Sequence, residues 1–266
     1  MAKKRKSAPI LPPESPLTRR RRALVVGASS GIGAAIAQRL AAEGHVVAAL
    51  ARSKGELDKL CREVNAQLGD TRALAYEHDV TDVESIPLTF QRLLKELGGM
   101  DVLVYCAGVM PAVASDEFNL EKDELMIDTN LRGGLAWLGL GAALFQRMGA
   151  GHLVGISSVA GDRGRVLNPG YNASKAGLDA YLEALRNRLT RHGVHVLTVK
   201  PGFVDTEMLK ASRGPKFGVI SPEQVAAGVW KAMRARKQLV YIPWIWRWIM
   251  LAVRNVPSFI FRRLSI

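Results

Sequence analysis

Only two of the 266 residues are cysteine, Cys61 and Cys106, so no disulfide framework holds this chain. The pair points to a reducing compartment or simply to a buried thiol, since Cys106 sits in an apolar run. The five histidines (His45, His78, His152, His192 and His195) lack metal-ligand spacing to cysteine or carboxylate, and no metal is expected. An apolar signal region is missing near the start: four prolines and a glutamate interrupt residues 8–17, which excludes a secretory signal there. Acidic residues are absent after Gln238, and no uncharged run in that tail approaches the ~20 residues of a spanning helix.

The charge that is present is unevenly placed. The net charge is +13, of which residues 1–22 carry +7 and residues 237–266 carry +5. A nearly neutral body, long enough for one domain with a full core, therefore lies between two basic ends. Residues 1–22 are expected to be a disordered basic arm, which binds acidic lipid head groups, touches nucleic acid or only aids solubility. Of these, nucleic-acid binding is not expected of the whole protein.

Through the body, short apolar runs alternate with helical stretches. Strands are expected at 23–26, 45–50, 72–77, 102–105, 153–156 and 194–199. The helices between them are expected at 34–43, 54–68, 82–97, 120–148 and 171–191. Such alternation predicts an α/β fold, a doubly wound parallel sheet of Rossmann type with ligands at the carboxyl ends of the strands. After the first strand comes Gly27-Ala28-Ser29-Ser30-Gly31-Ile32-Gly33, a glycine-rich turn into a helix. Glycines there let the backbone approach a ligand, and the open N–H groups of the helix start hold a pyrophosphate. At the end of the second strand, where an acidic residue selects NAD, the chain has Ala51 and then Arg52. Arg52 suits a 2′-phosphate and points to NADP; the alternative is a solvated strand-end charge.

Tyr171 and Lys175 are four apart and project from one helical face. An ammonium beside a phenol lowers the tyrosine pKa from its reference near ~10, so the tyrosine can exchange a proton with a substrate oxygen. The bare spacing equally describes a surface pair. Ser158, at the end of the fifth strand, can hydrogen-bond the same oxygen. Asn130, among Ile127, Leu131, Leu135 and Leu138, is either a satisfied core polar group or part of a site network.

Residues 23–242 resemble the short-chain dehydrogenase/reductase family. The resemblance is carried by Gly27-x-x-x-Gly31-Ile32-Gly33, Asp79-Val80, Ala107-Gly108, Asn130, Ser158, Tyr171-x-x-x-Lys175 and Pro201-Gly202-x-Val204-x-Thr206, in the family's order and spacing. It implies hydride transfer between a nicotinamide and a carbonyl or hydroxyl carbon, with Tyr171 as acid/base and Ser158 polarising the substrate oxygen. Lys175 would hold the nicotinamide ribose and lower the tyrosine pKa, and Asn130 would support a proton relay to Lys175. The cofactor set would be the glycine turn with Ser29 and Ser30, together with Arg52, Asp79 at the adenine, Val80, Ala107, Gly108, Pro201, Gly202, and Val204 and Thr206 at the carboxamide. Val26 stands where the family has threonine, and Tyr105-Cys106 where it often has two asparagines. Homodimers or homotetramers through the Asn130 and Tyr171 helices are implied as well.

The tail, 243–266, is rich in tryptophan and arginine. Arg247 and Arg254 share one helical face, and Pro257 is expected to start a second short helix. Either the tail is an amphipathic helix lying in a membrane interface, or it packs over the substrate pocket or a neighbouring subunit. Its ending is similar to that of membrane-associated lipid-linked keto-sugar reductases. The expected activity is therefore an NADP(H)-dependent carbonyl reductase/alcohol dehydrogenase on a lipid-like or lipid-linked substrate, on the cytoplasmic face of a membrane. Its alternatives are a soluble reductase of small or steroid-like carbonyls and a non-catalytic NADP-sensing protein.

Overall fold

The computed structural model describes residues 21–211 and 216–264. Strands β1 (Arg22–Val26), β2 (Val46–Ala51), β3 (Ala73–Glu77), β4 (Val102–Tyr105), β5 (His152–Ile156), β6 (His195–Pro201) and β7 (Leu239–Ile242) form one parallel sheet in the order β3-β2-β1-β4-β5-β6-β7. Between them run α1 (Gly31–Ala42), α2 (Lys54–Leu68), α3 (Ile86–Leu97), α4 (Leu120–Ile127), α5 (Gly133–Met148), α6 (Pro169–Leu189), α7 (Glu207–Ala211) and α8 (Pro222–Arg234). The chain continues into α9 (Trp246–Asn255) and α10 (Ser258–Phe261).

The central strands are largely apolar because both faces are covered. With side chains alternating, Ala23, Val25, Val47, Val104 and Val199 face α1, α2 and α8. Leu24, Val26, Leu50, Leu103 and Leu153 face α3, α5 and α6. The expected doubly wound sheet is therefore the observed one. Its direction of winding reverses between β1 and β4, which opens a crevice at the carboxyl ends of those strands.

Several expected boundaries move for local reasons. Arg22 belongs to β1 rather than to the basic arm: it is buried, its backbone N–H donates to Asp101 at 2.7 Å, and its Nε donates to the Leu97 carbonyl. The remainder of the arm, 1–20, lies outside the described residues. The helix expected from 82 starts at Ile86, because Asp79 accepts from the Thr81 N–H and Ser85 donates to Asp82 in a preceding turn. The long helix expected over 120–148 is two helices joined by a π-helical turn at Asp128–Arg132. Tyr105 supplies the reason. Its hydroxyl donates to the Thr129 carbonyl at 2.5 Å, and Gly133 and Gly134 leave the room for its ring.

Helices α7 and α8 and strand β7 were not anticipated. For α8 the signal was there: Ser221 accepts from the Gln224 N–H, the Gln224 side chain accepts from the Ser221 N–H, and Pro222 occupies the first turn.

Candidate active site

The turn after β1 is shaped by what glycine lacks. Gly27 and Gly31 have positive φ, +88° and +53°, and a Cβ on Gly33 would overlap the Gly27 carbonyl. A Cβ on Gly27 would come within 2.6 Å of Ala107 Cα, so the β1 and β4 ends close on each other. Ser30 precedes α1 with extended backbone and no side-chain cap, and the first helical turn holds no acidic residue, so its N–H groups remain open to an anion. These residues line a cleft of about 860 Å³ that runs past Ala51 and Arg52, His78 and Val80, Cys106–Pro111, and on to Tyr171 and Lys175. The cleft is a suitable length of groove for a dinucleotide: an anion cradle at one end, titratable side chains at the other.

Of the anticipated cofactor residues, Gly27, Ser29, Ser30, Gly31, Ile32, Gly33, Arg52, Val80, Ala107, Gly108, Tyr171, Lys175 and Thr206 line this cleft. Pro201, Gly202 and Val204 do not: Gly202 lies beneath the Trp246 indole, and Val204 is buried in a bridge to Ile220. Asp79 sits at the rim, 3.9 Å from Arg52. Although burial opposes it, the Thr81 N–H and hydroxyl and the Arg52 charge hold its carboxyl below the usual range. Sequence reading missed His78, Asp205, Glu207, Met208 and Lys210, which also line the cleft and carry no motif spacing.

At the other end, β5 delivers two serines with opposite orientations. Ser157 Oγ donates to the Lys175 carbonyl at 3.3 Å. Ser158 Oγ accepts from the Ala160 N–H at 3.1 Å, and its hydroxyl pulls the Tyr171 pKa downward. Tyr171 and Lys175 are buried on one face of α6, with the ammonium 5.7 Å from the phenol ring centre. Lys175 Nζ donates to the Ile156 carbonyl at 3.0 Å, and burial draws its pKa down to about 8 against the pull of Cys106 and Asp179. Asn130 is fully buried on the π-helical turn. Its amide donates to the Val109 carbonyl and to Ser174 Oγ, both at 3.0 Å, and its oxygen accepts from the Val109 N–H at 2.7 Å. Asn130 Oδ1 and Lys175 Nζ both flank Gly108.

One expectation is corrected here. The Tyr171 pKa lies above its ordinary value, not below it, because burial outweighs the opposing pull of the Ser158 hydroxyl and the Arg165 charge. Lys175 spends its nearest donor on Ile156 and does not act on the phenol as the sequence reading required.

The turn that follows Ser158 is held by side chains. Asp162 accepts from Lys200 Nζ at 2.5 Å and from the Tyr241 hydroxyl at 3.0 Å, and Lys200 also pairs with Asp179 at 2.8 Å. Arg163 donates to the Val253 and Val256 carbonyls at 2.6 Å and lies over the Phe261 ring at 3.8 Å. Trp246 packs on Phe203 and Phe217, with ring centres 5.6 and 5.0 Å away. The tail is thus docked on the body through Trp246 and Met250, while Trp244, Trp248, Leu251, Phe259 and Ile260 face outward. Among the described residues no helix is long and apolar enough to cross a membrane.

Comparison with known proteins gives the family. The short chain dehydrogenase family matches residues 21–216. An uncharacterized oxidoreductase of Mycobacterium tuberculosis is 33% identical over 230 residues, 86% of this chain and 90% of that protein. Ketoacyl reductase HetN of Nostoc is 33% identical over 223 residues, 82% of this chain and 77% of its own. The structure of an alcohol dehydrogenase from Thermococcus sibiricus, complexed with 5-hydroxy-NADP, is 26% identical with a TM-score of 0.75, covering 83% of this chain and 95% of that one. Since the family match runs from the glycine turn through the Tyr171 helix, this chain belongs to the short chain dehydrogenases, oxidoreductases that use a nicotinamide cofactor.

Proposed function

We propose that the protein is an NADP(H)-dependent carbonyl reductase/alcohol dehydrogenase with Tyr171 as its acid/base. The observation that carries this reading is that Tyr171 and the buried Lys175 share one face of α6 and both line the cleft that begins at the glycine cradle. A nicotinamide dinucleotide fits that cleft by the groups it presents: open N–H donors at Ser30–Gly31 for the pyrophosphate and Lys175 for ribose hydroxyls. When bound, the cofactor supplies or accepts the hydride. Burial keeps the Tyr171 phenol protonated at neutral pH, ready to give its proton to a carbonyl oxygen as negative charge grows there. Ser158 orients that oxygen. Asn130 acts as a positioning residue that ties Val109 to Ser174, on the side of Gly108 where a water relay would return a proton to Lys175. Tyr171→Phe is expected to lower carbonyl-dependent NADPH oxidation by about 10³-fold or more while NADPH still binds; retained turnover would sink the reading.

Arg52 favours NADP(H) over NAD(H), since its guanidinium stands free of the backbone at the rim, paired only loosely with Asp79. Arg52→Ala should weaken NADPH by about tenfold more than NADH; equal losses in titration would refute the 2′-phosphate role.

We further infer a lipid-like or lipid-linked substrate, met at a membrane surface. In support, the outward face of the tail combines Trp244, Trp248, Leu251, Phe259 and Ile260 with four arginines and no acid. Trp248→Ser with Leu251→Ser should abolish co-sedimentation with phosphatidylglycerol vesicles; equal recovery of this variant and the parent removes the membrane idea. The docking of Trp246 and Met250 favours a second reading, in which the tail is only a lid over a pocket for small or steroid-like carbonyls. Assembly as a homodimer or homotetramer through α5 and α6 is also proposed, and light scattering of the purified chain tests it.

A further inference from the structure

Ser158 stands at the head of a single tight turn, and each residue that follows it rests on something different. The Gly161 N–H donates to the Ser158 carbonyl at 3.1 Å, and the Asp162 N–H donates to the Val159 carbonyl at 3.2 Å. Val159 is buried with Trp246 and Met250 of α9. Ala160 is buried in a cluster with Tyr171, Val113 and Met126. Gly161 lies flat against α6: a Cβ there would come within 2.6 Å of Asp179 Oδ2 and 2.9 Å of the Lys175 carbonyl carbon. Asp162 ends the turn, its side chain 1% exposed, and accepts from Lys200 Nζ and the Tyr241 hydroxyl. The turn thus packs on the helix of Tyr171 and Lys175 on one side and is held by β6, β7 and α9 on the other.

So short a turn has no ladder of its own to fix it, and side chains set its distance from α6. Lys200 does so from both directions. Its Nζ is 2.5 Å from Asp162 at the end of the turn and 2.8 Å from Asp179, which lies one helical turn beyond Lys175 on α6. One buried ammonium therefore bridges the turn that bears Ser158 and the helix that bears Tyr171 and Lys175. Burial opposes its charge, but Asp179 and Asp162 outweigh that and hold the Lys200 pKa above its ordinary value. Lys200, Asp162 and Asp179 are not among the residues lining the cleft, so any part they play in the chemistry passes through the groups they hold.

We propose that Lys200 is a positioning residue of the reaction: by bridging Asp162 and Asp179 it sets the place of Ser158 relative to the Tyr171–Lys175 face of α6. The proposal rests on the reading of Tyr171 as acid/base and of Ser158 as the hydroxyl that orients the carbonyl oxygen. A small displacement of the turn would leave the cofactor bound while misplacing Ser158, and a reaction between preorganised groups does not tolerate that.

The test is a double-mutant cycle in the full chain, followed as NADPH oxidation with 9,10-phenanthrenequinone as the carbonyl. Asp162→Asn keeps the shape of the side chain and weakens the tie; Lys200→Met removes it. Each is made alone and together with Ser158→Ala. Alone, Asp162→Asn should lower kcat about tenfold and Lys200→Met about 100-fold, with the NADPH Kd changed less than about threefold. On the Ser158→Ala background the same changes should cost less than about threefold more, because the group they position is already gone. A purely structural role predicts instead the same fold-loss in both backgrounds, and that result, or a fall in kcat matched by an equal loss of NADPH affinity, overturns the proposal. Thermal melts show which variants are folded; if Lys200→Met is not, Asp162→Asn carries the comparison by itself. Tyr171→Phe is run alongside: turnover retained there would sink the acid/base reading and the proposal with it, whereas equal losses in both backgrounds with Tyr171→Phe inactive sink the proposal alone.

Discussion

The two ends of the cleft are built from different materials. The cofactor end is made of backbone: glycines that admit close approach, open N–H groups, and a turn whose geometry depends on missing Cβ atoms. The far end presents side chains, Tyr171 and Lys175, and the turn beside it is held by long side chains reaching across elements. Lys200 ties Asp162 to Asp179, Arg163 holds the tail, and Trp246 covers Gly202. A backbone cradle serves any dinucleotide, whereas what is done with it depends on which side chains stand at the far end.

Breaking the substrate end alone should have the largest effect. Lys200→Met leaves Asp162 and Asp179 buried without their cation and should cost about 3–5 kcal/mol, read as a fall in urea midpoint. A normal midpoint would mean the network is not structural. Breaking the cofactor end comes next. Gly33→Val collides with the Gly27 carbonyl and should weaken NADPH by about 100-fold, roughly 2.8 kcal/mol, with the substrate end intact.

A smaller effect separates the two by pH. Lys175, drawn by burial to about 8, is charged below that value and neutral above it. The kcat/KM for reduction should therefore be flat from about pH 6 to 7.5 and fall up to tenfold per unit above about 8. A profile level to pH 10 would detach Lys175 from catalysis. Arg163→Gln should loosen the substrate loop and raise KM for the carbonyl several-fold, while leaving the NADPH Kd unchanged.

The smallest effect lies at the amino ends of β5 and β6, away from the cleft. His152, drawn down to about 4 by burial and by His195, donates or accepts at 2.9 Å between the two Nδ1 atoms, and burial lowers His195 as well. Both bind protons more weakly folded than unfolded. Their contribution to stability is complete above the ordinary histidine value of 6.5 and is lost as pH falls towards 4. Melting at pH 5 should be a few degrees below that at pH 7.5, and His152→Gln should shrink the difference.

The sequence carried the sheet, the glycine turn and the place of Tyr171, Lys175 and Ser158 because each rests on a local pattern: a buried apolar run, a missing side chain, a fixed spacing. It did not carry the π-helical turn, since that depends on Tyr105 reaching Thr129, 24 residues away. Nor did it carry the sign of the Tyr171 shift, because the depth of burial is a tertiary property and Lys175 turns to Ile156 instead. The Lys200 network was invisible for the same reason. Asp162, Asp179, Lys200 and Tyr241 stand far apart in the chain until the fold brings them together.

The clamp at Arg163 has a consequence for biosynthesis. Its partners, Val253 and Val256, lie about ninety residues further along the chain and beyond every element of the glycine cradle, whose Gly27 closes on Ala107 and whose α1 packs on α8. As the chain leaves the ribosome, the cleft lining as far as Pro222 is made before the Gly161–Asn168 loop has its anchor in the tail. The newborn protein is therefore expected to pass through a stage able to hold a cofactor before that loop is fixed. Trapping nascent chains that end before residue 253 on immobilised NADPH would catch that stage, and failure of such chains to bind would show that the two ends fold as one.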